Sequence, residues 1–293
     1  MKITITLAHN AGFCYGVKRA VETIKKLKSE NPARPIYVLG ELIHNSDVIK
    51  ELEDLGIITA DTLPENPPKG AICVIRSHGL AQAEIDKIAQ SGYEIVDLTC
   101  LDVKKVQQKA EELAKKGYLV IIVGKSEHPE VAAISANAKL YGENVFVISD
   151  VSEITENLIQ KIKTAKKIGV VSQTTQRIQN LQNIVSALIP YCKEIRVFNT
   201  ICASTTLRQN EAKKLAEKSD LMVVVGSKKS ANTTHLAEIL KNITQTIHIE
   251  NENELDDYKD IINKMNEIGV TAGASTPQNI IENVITKLKT INN

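Results

Sequence analysis

Three times along this chain an apolar, strand-like run ends in a cysteine, a charged amphipathic stretch follows, and a second apolar run closes on glycine. The cysteines are Cys14, Cys100 and Cys202, reached through Ile3-Thr-Ile-Thr-Leu7, Glu94-Ile-Val-Asp-Leu-Thr-Cys100 and Glu194-Ile-Arg-Val-Phe-Asn-Thr-Ile-Cys202. Gly40, Gly124 and Gly226 follow them by 26, 24 and 24 positions. A unit that recurs with its thiol in the same place builds similar modules, and three such thiols can converge on one centre. A further apolar run in each unit ends in a polar group, at His78, Thr174 and Ser275, and these follow the cysteines by 64, 74 and 73 positions.

Within this frame the pattern predicts helices over 17–27, 103–116 and 207–219, and strands over 36–39, 71–75, 118–123, 145–148, 168–171, 221–225 and 268–271. A short helix has Ser46 as its expected N-cap and Gly56 as its stop, and Pro129 suits the first position of another. Pro64 to Pro68 mark a connection. Short apolar strands alternating with helices indicate largely parallel sheets covered by helices. The expected fold is α/β, a trefoil-like ring of three similar α/β domains. Their boundaries are residues 1–98, 99–199 and 200–276, and a C-terminal helix over 277–290 returns to the strand that starts at Met1 and completes the first domain. Ligands of parallel sheets bind beyond the carboxyl ends of strands. Cys14, Cys100, Cys202, His44, His78, His128, Thr174, Asn232 and Ser275 all fall there.

Composition narrows the function. The 293 residues carry 36 basic and 35 acidic side chains, so no broad field draws nucleic acid or an anionic membrane. Three Phe, seven Tyr and no Trp argue against a base-stacking platform. No apolar run approaches the roughly 20 residues that span a bilayer, and strand-like alternation from the first residues leaves no room for a targeting segment. Five cysteines without short-range pairing do not form a disulfide framework, so a cytoplasmic, reducing setting is expected. Cys73, inside Ala71-Ile-Cys-Val-Ile75, reads as a small buried hydrophobe and Cys192 as incidental.

Two metal chemistries suit three distant thiols. Structural zinc usually takes four ligands with close Cys-x-x-Cys pairs, and no such pair exists. A [4Fe–4S] cluster commonly has four cysteine ligands, so three would leave one iron open as a Lewis acid and electron conduit. His44, His78 and His128, with Ser230, Asn232 and Ser275, offer donors for a doubly anionic group, and strand-to-helix turns add backbone N–H groups. A diphosphate suits donors converging from several sides better than a carboxylate does. Glu130 reads either as a first-turn acid complementing a helix dipole or, beside a metal and Thr174, as a proton carrier.

Gly12-Phe-Cys14 with Gly16-Val-x-Arg-Ala20, Leu98-Thr-Cys100, His128-Pro-Glu130, Ser172-Gln-Thr-Thr175, Thr200-Ile-Cys202 with Arg208-Gln209, Ser230-x-Asn232 and Thr271-Ala-Gly-Ala-Ser275 occur in order along essentially the whole chain. Together they resemble the 4-hydroxy-3-methylbut-2-enyl diphosphate reductases, which end the methylerythritol phosphate route to isoprenoids. The resemblance implies one [4Fe–4S] cluster held by Cys14, Cys100 and Cys202. It implies diphosphate binding by His44, His78, His128, Ser230, Asn232 and Ser275, with Thr174 beside the substrate hydroxyl and Glu130 delivering protons. The implied reaction is a two-electron reductive dehydroxylation giving isopentenyl and dimethylallyl diphosphate plus water. Electrons would come from a ferredoxin- or flavodoxin-type donor, with no nucleic acid or membrane partner. Leu101 and Ala231 depart from the family pattern, where proline and serine are common, and an appended RNA-binding domain of some relatives is not expected.

Two rivals remain. A non-redox [4Fe–4S] Lewis-acid enzyme resembling quinolinate synthase would want an arginine cluster for carboxylates, and Arg19, Arg76 and Arg208 do not form one in the pattern. A metal-bearing sensor would want a basic or apolar docking surface.

Overall fold

A computed structural model describes residues 3–291. Met1 and Lys2, read above as the start of the first strand, lie outside the described residues. In chain order the elements are β1 (Thr4–Leu7), α1 (Tyr15–Glu30), β2 (Ile36–Leu39), α2 (Ser46–Asp54), β3 (Ile57–Ala60), β4 (Ile72–Ile75), α3 (Gln82–Gln90) and β5 (Glu94–Asp97). They continue with α4 (Leu101–Lys115), β6 (Leu119–Val123), α5 (Pro129–Lys139), β7 (Val145–Ile148), α6 (Glu156–Ala165), β8 (Lys167–Ser172), α7 (Ile178–Leu188) and β9 (Glu194–Val197). The last are α8 (Ala203–Ala216), β10 (Leu221–Val225), α9 (Ala231–Lys241), β11 (Gln245–Ile249), α10 (Lys259–Ile262), β12 (Glu267–Ala272) and α11 (Gln278–Ile291).

The strands form three four-stranded sheets, ordered β3-β2-β4-β5, β7-β6-β8-β9 and β11-β10-β12-β1, and every pairing is parallel. The repeat read from the cysteines is therefore a repeat of sheet topology. In each sheet the chain leaves its second strand for the edge and returns on the other side, so the strand order reverses between β2 and β4, β6 and β8, β10 and β12. Crevices at such reversals take ligands. β1 pairs with β12 in register Thr4↔Glu267 to Leu7↔Val270. The strand that opens the 1–98 stretch thus completes the sheet of the 200–276 stretch, and α11 packs against it.

The chain forms two compact units. One comprises Met1–Glu22, Ile43–Leu55 and Ala203–Asn293, and holds the sheet β11-β10-β12-β1. Alternation along β10 and β12 gives that sheet two buried faces. Val223, Val270 and Ala272 meet Ile281, Val284 and Leu288 of α11 on one side, while Met222 and Val224 meet Ala212, Ala216, Leu236 and Leu240 of α8 and α9 on the other. The second unit comprises Thr23–Leu42 and Gly56–Cys202 and holds the other two sheets. β6 is buried at every residue, with Val120 and Ile122 facing α4 and α5 and Leu119, Ile121 and Val123 facing α6 and α7. Burying each such side chain stabilises by about 1.5–3 kcal/mol, which is why these near-continuous apolar runs become central strands. None of the helices is long and apolar enough to cross a membrane, among the described residues.

Several expectations need correction. The predicted elements omit β3, β11, α9 and α10; both strands are short edge strands whose residues are partly exposed, Ile58 among them. The cap of α2 is Asn45, whose side chain accepts the Val48 N–H at 3.0 Å, with Ser46 the first helical residue. α4 and α8 begin directly after Cys100 and Cys202, two and four residues earlier than predicted.

Candidate active site

The three cysteines occupy one local setting. Each follows the edge strand that ends its own sheet or the preceding one (β1, β5, β9), and each is followed at once by a helix (α1, α4, α8). Each also donates its backbone N–H to a carbonyl at the end of a neighbouring strand. Cys14 bonds Ala274 O at 3.1 Å, Cys100 bonds Ser77 O at 3.0 Å, and Cys202 bonds Thr174 O at 3.0 Å. Those carbonyls belong to the segments that bear Ser275, His78 and Thr174 itself, so thiols and polar strand ends are tied in pairs by the main chain.

All three thiols are partly exposed and unbridged. A helix N-terminus complements the negative charge that a metal-bound thiolate carries, and Cys14 Sγ already accepts the Val17 N–H at 3.5 Å. Thiolates are the donors that hold iron–sulfur clusters, so each cysteine is chemically fit for that role. Cys73 differs, being fully buried on β4 with its thiol pushed up to about 11 by burial. Cys192 is also raised by burial, and its Sγ lies 3.7 Å from Ile189 O. Neither sits at a helix start.

In the second unit, α5 presents His128 and Glu130 at its N-terminus. His128 is the N-cap, its Nδ1 accepting the Glu130 N–H at 3.2 Å, and Pro129 fills the first helical position as predicted. Accepting at Nδ1 leaves the other ring nitrogen to carry the proton of the neutral imidazole. The ring stands edge-on to His78, with centroids 5.5 Å apart and planes at 85°. Glu130 is 2% exposed and takes two bonds from one residue: Thr174 N–H to Oε1 at 2.7 Å and Thr174 hydroxyl to Oε2 at 2.8 Å. Burial pushes the Glu130 carboxyl up to about 7, against the lowering effect of both Thr174 bonds. A carboxyl that titrates near neutrality can take up and release a proton under working conditions.

The chain beside Thr174 is fixed by residues that pattern alone does not single out. Gln173, fully buried, donates Nε2 to Thr175 Oγ1 at 3.1 Å and its backbone N–H to Val123 O at 2.8 Å. Thr200 brackets Ser172, accepting its N–H at 2.8 Å and donating to its carbonyl at 2.6 Å. Both residues lie inside strings already quoted, yet nothing in the strings signals these roles.

In the first unit, Ser275 is buried and donates its hydroxyl to His44 O at 3.1 Å. Ser230 caps α9 without a side-chain capping bond, and Ala231 is the first helical residue. Asn232, 6% exposed, keeps its Nδ2 without a hydrogen-bond partner among the described residues. An amide donor orphaned at the start of an 11-residue helix suits an anion. Gly226 opens this loop at φ +136°, where an added Cβ would lie 2.3 Å from Thr276 Oγ1.

The predicted site residues thus divide between the units. His78, Cys100, His128, Glu130, Thr174 and Cys202 fall in one, and Cys14, His44, Ser230, Asn232 and Ser275 in the other.

Comparison with known proteins adds a family. The model described as "LytB protein" matches residues 5–289. A Clostridium tetani protein named 4-hydroxy-3-methylbut-2-enyl diphosphate reductase is 44% identical over 296 residues, and the match covers 99% of this chain and 44% of that protein. Proteins of the same name from Citrifermentans bemidjiense and Pelobacter propionicus are 40% and 43% identical, over 98% of this chain and 97% and 98% of theirs. A solved (E)-4-hydroxy-3-methyl-but-2-enyl diphosphate reductase superposes with TM-score 0.73 at 34% identity, covering 98% of this chain and 99% of that one. The Plasmodium falciparum E-1-hydroxy-2-methyl-but-2-enyl-4-diphosphate reductase gives 0.85 at 29% identity, covering 97% and 87%.

Proposed function

The chain belongs to the LytB family of 4-hydroxy-3-methylbut-2-enyl diphosphate reductases and is an oxidoreductase; on that premise we propose that it removes the allylic hydroxyl of that diphosphate with two electrons and two protons. The products are isopentenyl or dimethylallyl diphosphate and one water. We propose Cys14, Cys100 and Cys202 as the ligands of a [4Fe–4S] cluster. Such a cluster supplies single electrons and an open, Lewis-acidic iron.

The chain's own residues manage anion and proton. Asn232 Nδ2 and the α9 N-terminus, with Ser230, Ser275, His44, His78 and His128, are the proposed donors to the diphosphate. Thr174 is proposed to contact the substrate hydroxyl, passing a proton from Glu130 as the oxygen departs. The buried Glu130–Thr174 pair, with its carboxyl near 7, is the observation that carries this proposal. A carboxyl at the usual value would be almost wholly ionised at neutral pH and could donate little.

Electrons come, in this proposal, from a ferredoxin- or flavodoxin-type carrier in the reducing cytoplasm. The non-redox alternative is not favoured. The matched relatives carry the reductase name, and Arg208, the one buried arginine among the described residues, directs Nε and a terminal nitrogen to the carbonyls of Asn10 and Gly12. The test is substrate consumption by the anaerobically purified chain with reduced methyl viologen, alongside iron and sulfide analysis. Iron-loaded protein that consumes no substrate would falsify the proposal.

A further inference from the structure

The segment before Cys14 is the longest of the three that lead to a cysteine. Six residues, 8–13, separate β1 from Cys14, whereas two (98–99) separate β5 from Cys100 and four (198–201) separate β9 from Cys202. The shorter two are braced from within. Asp97 accepts the Thr99 N–H at 2.9 Å, and Asn199 accepts the Ile201 N–H at 3.2 Å. A longer loop has more conformations to lose on ordering, and besides its internal bond from the Ala11 N–H to Ala8 O at 3.2 Å the 8–13 segment is fixed from outside.

Two side chains of α8 do this. Arg208, 4% exposed, donates Nε to Asn10 O at 2.8 Å and a terminal nitrogen to Gly12 O at 2.7 Å. Glu211, one turn on, accepts the His9 N–H at 2.7 Å, the Asn10 N–H at 2.8 Å and the Asn10 side-chain amide at 2.7 Å. Burial opposes the Glu211 charge, but the bonds from Asn10 and His9 outweigh it and hold the carboxyl below its usual range. Five charge-assisted bonds from two residues thus fix three loop residues, and each such bond is stronger than a neutral one. On the far side, Gly12 sits at φ +89° with an added Cβ only 3.0 Å from Ile281 Cδ1, and the Cys14 N–H reaches Ala274 O. The loop is pinned between α8 and the turn after β12.

We propose that Arg208 and Glu211 are the positioning residues for Cys14, setting where its sulfur points through the 9–12 backbone they clamp. This rests on Cys14 being a cluster ligand, but the test separates the two. The full chain, purified without oxygen and stripped with a chelator, is pulse-labelled with iodoacetamide, and each cysteine peptide is quantified by mass spectrometry. Loss of a hydrogen bond to a charged group corresponds to about a ten-fold change in local opening, so Glu211→Gln and Arg208→Met should raise labelling of Cys14 by that factor. Arg208→Lys, which can keep one of the two carbonyl bonds, should give a smaller rise. Labelling of Cys100, Cys202 and Cys192 should not change. The reduced, iron-loaded variants should also show an altered electron paramagnetic resonance signal. Unchanged Cys14 labelling, or an equal rise at every thiol, overturns the proposal. If Arg208→Met does not accumulate, the partly exposed Glu211→Gln decides alone. Iron content of Cys14→Ser tests the ligand assignment independently.

Discussion

Thr174 gives both its donors, backbone and hydroxyl, to the two oxygens of Glu130, while its carbonyl accepts the Cys202 N–H. One residue therefore joins the only strongly raised carboxyl of the described residues to the main chain at a cysteine. Replacing Glu130 by Gln preserves the size of the side chain and one acceptor but abolishes titration. Turnover should fall by about a hundredfold or more with substrate affinity retained, measured by anaerobic steady-state kinetics and equilibrium binding. Undiminished turnover would remove Glu130 from the proton path.

The same group makes stability depend on pH in an unusual direction. Its folded value of about 7 lies above the ordinary 4.5, so the folded state holds a proton that the unfolded state has lost. The associated stability is fully present below about 4.5 and disappears as pH rises to about 7, on the order of 3 kcal/mol. Urea midpoints at pH 5 and pH 8 should therefore show Glu130→Gln gaining on the parent chain at the higher pH. A constant difference between the two would contradict the raised value.

Thr200→Val keeps the shape of a β-branched side chain and strips its hydroxyl, leaving the buried Ser172 N–H and carbonyl unpaired. The expected cost is about 1–3 kcal/mol, seen as a lower urea midpoint with unchanged slope. Thr200→Ser, which retains the hydroxyl, should recover most of it.

At Gly226 an alanine meets both a left-sided backbone angle and the Thr276 hydroxyl at 2.3 Å. That hydroxyl is itself committed to Val225 O at 3.0 Å, so it cannot turn aside without loss. Gly226→Ala should displace the loop carrying Ser230 and Asn232 and weaken diphosphate binding about ten-fold or more. Calorimetric titration with the substrate is the check; unaltered affinity would exclude this loop from the phosphate site.

Cysteines should separate by setting. Cys73→Ala removes a buried sulfur from β4 and should cost about 1–2 kcal/mol through the small cavity left while iron per chain is unchanged. Cys14→Ser, Cys100→Ser and Cys202→Ser should each lower iron per chain. Elemental analysis of proteins purified side by side distinguishes the two classes.

Much of this was legible in the linear pattern because it was repeated. Cys14, Cys100 and Cys202 stood out by recurrence, and β6, β8 and β10 by unbroken apolar runs that only burial on both faces explains. His128-Pro-Glu130 announced a helix start because proline's missing N–H is harmless there. β3 and β11 did not stand out, since edge strands need bury only part of their side chains and so mix polar with apolar residues. Asn45 and Ser46 are both able caps, and only the backbone angle before the helix chooses between them. Glu211 left no trace at all: its partners His9 and Asn10 lie about two hundred positions away, and a carboxylate bonding main-chain N–H groups places no demand on the identity of the residues that supply them.

β1 is hydrogen-bonded along its length to β12, and its cysteine loop leans on the carbonyl of Ala274. β1 therefore cannot form its ladder until a partner 263 positions further along the chain, from Thr4 to Glu267, has been made. Until then its backbone donors and acceptors stay open to the wrong strand. Whatever the proposed role of Cys14, the backbone that orients it is set only after that distant pairing closes.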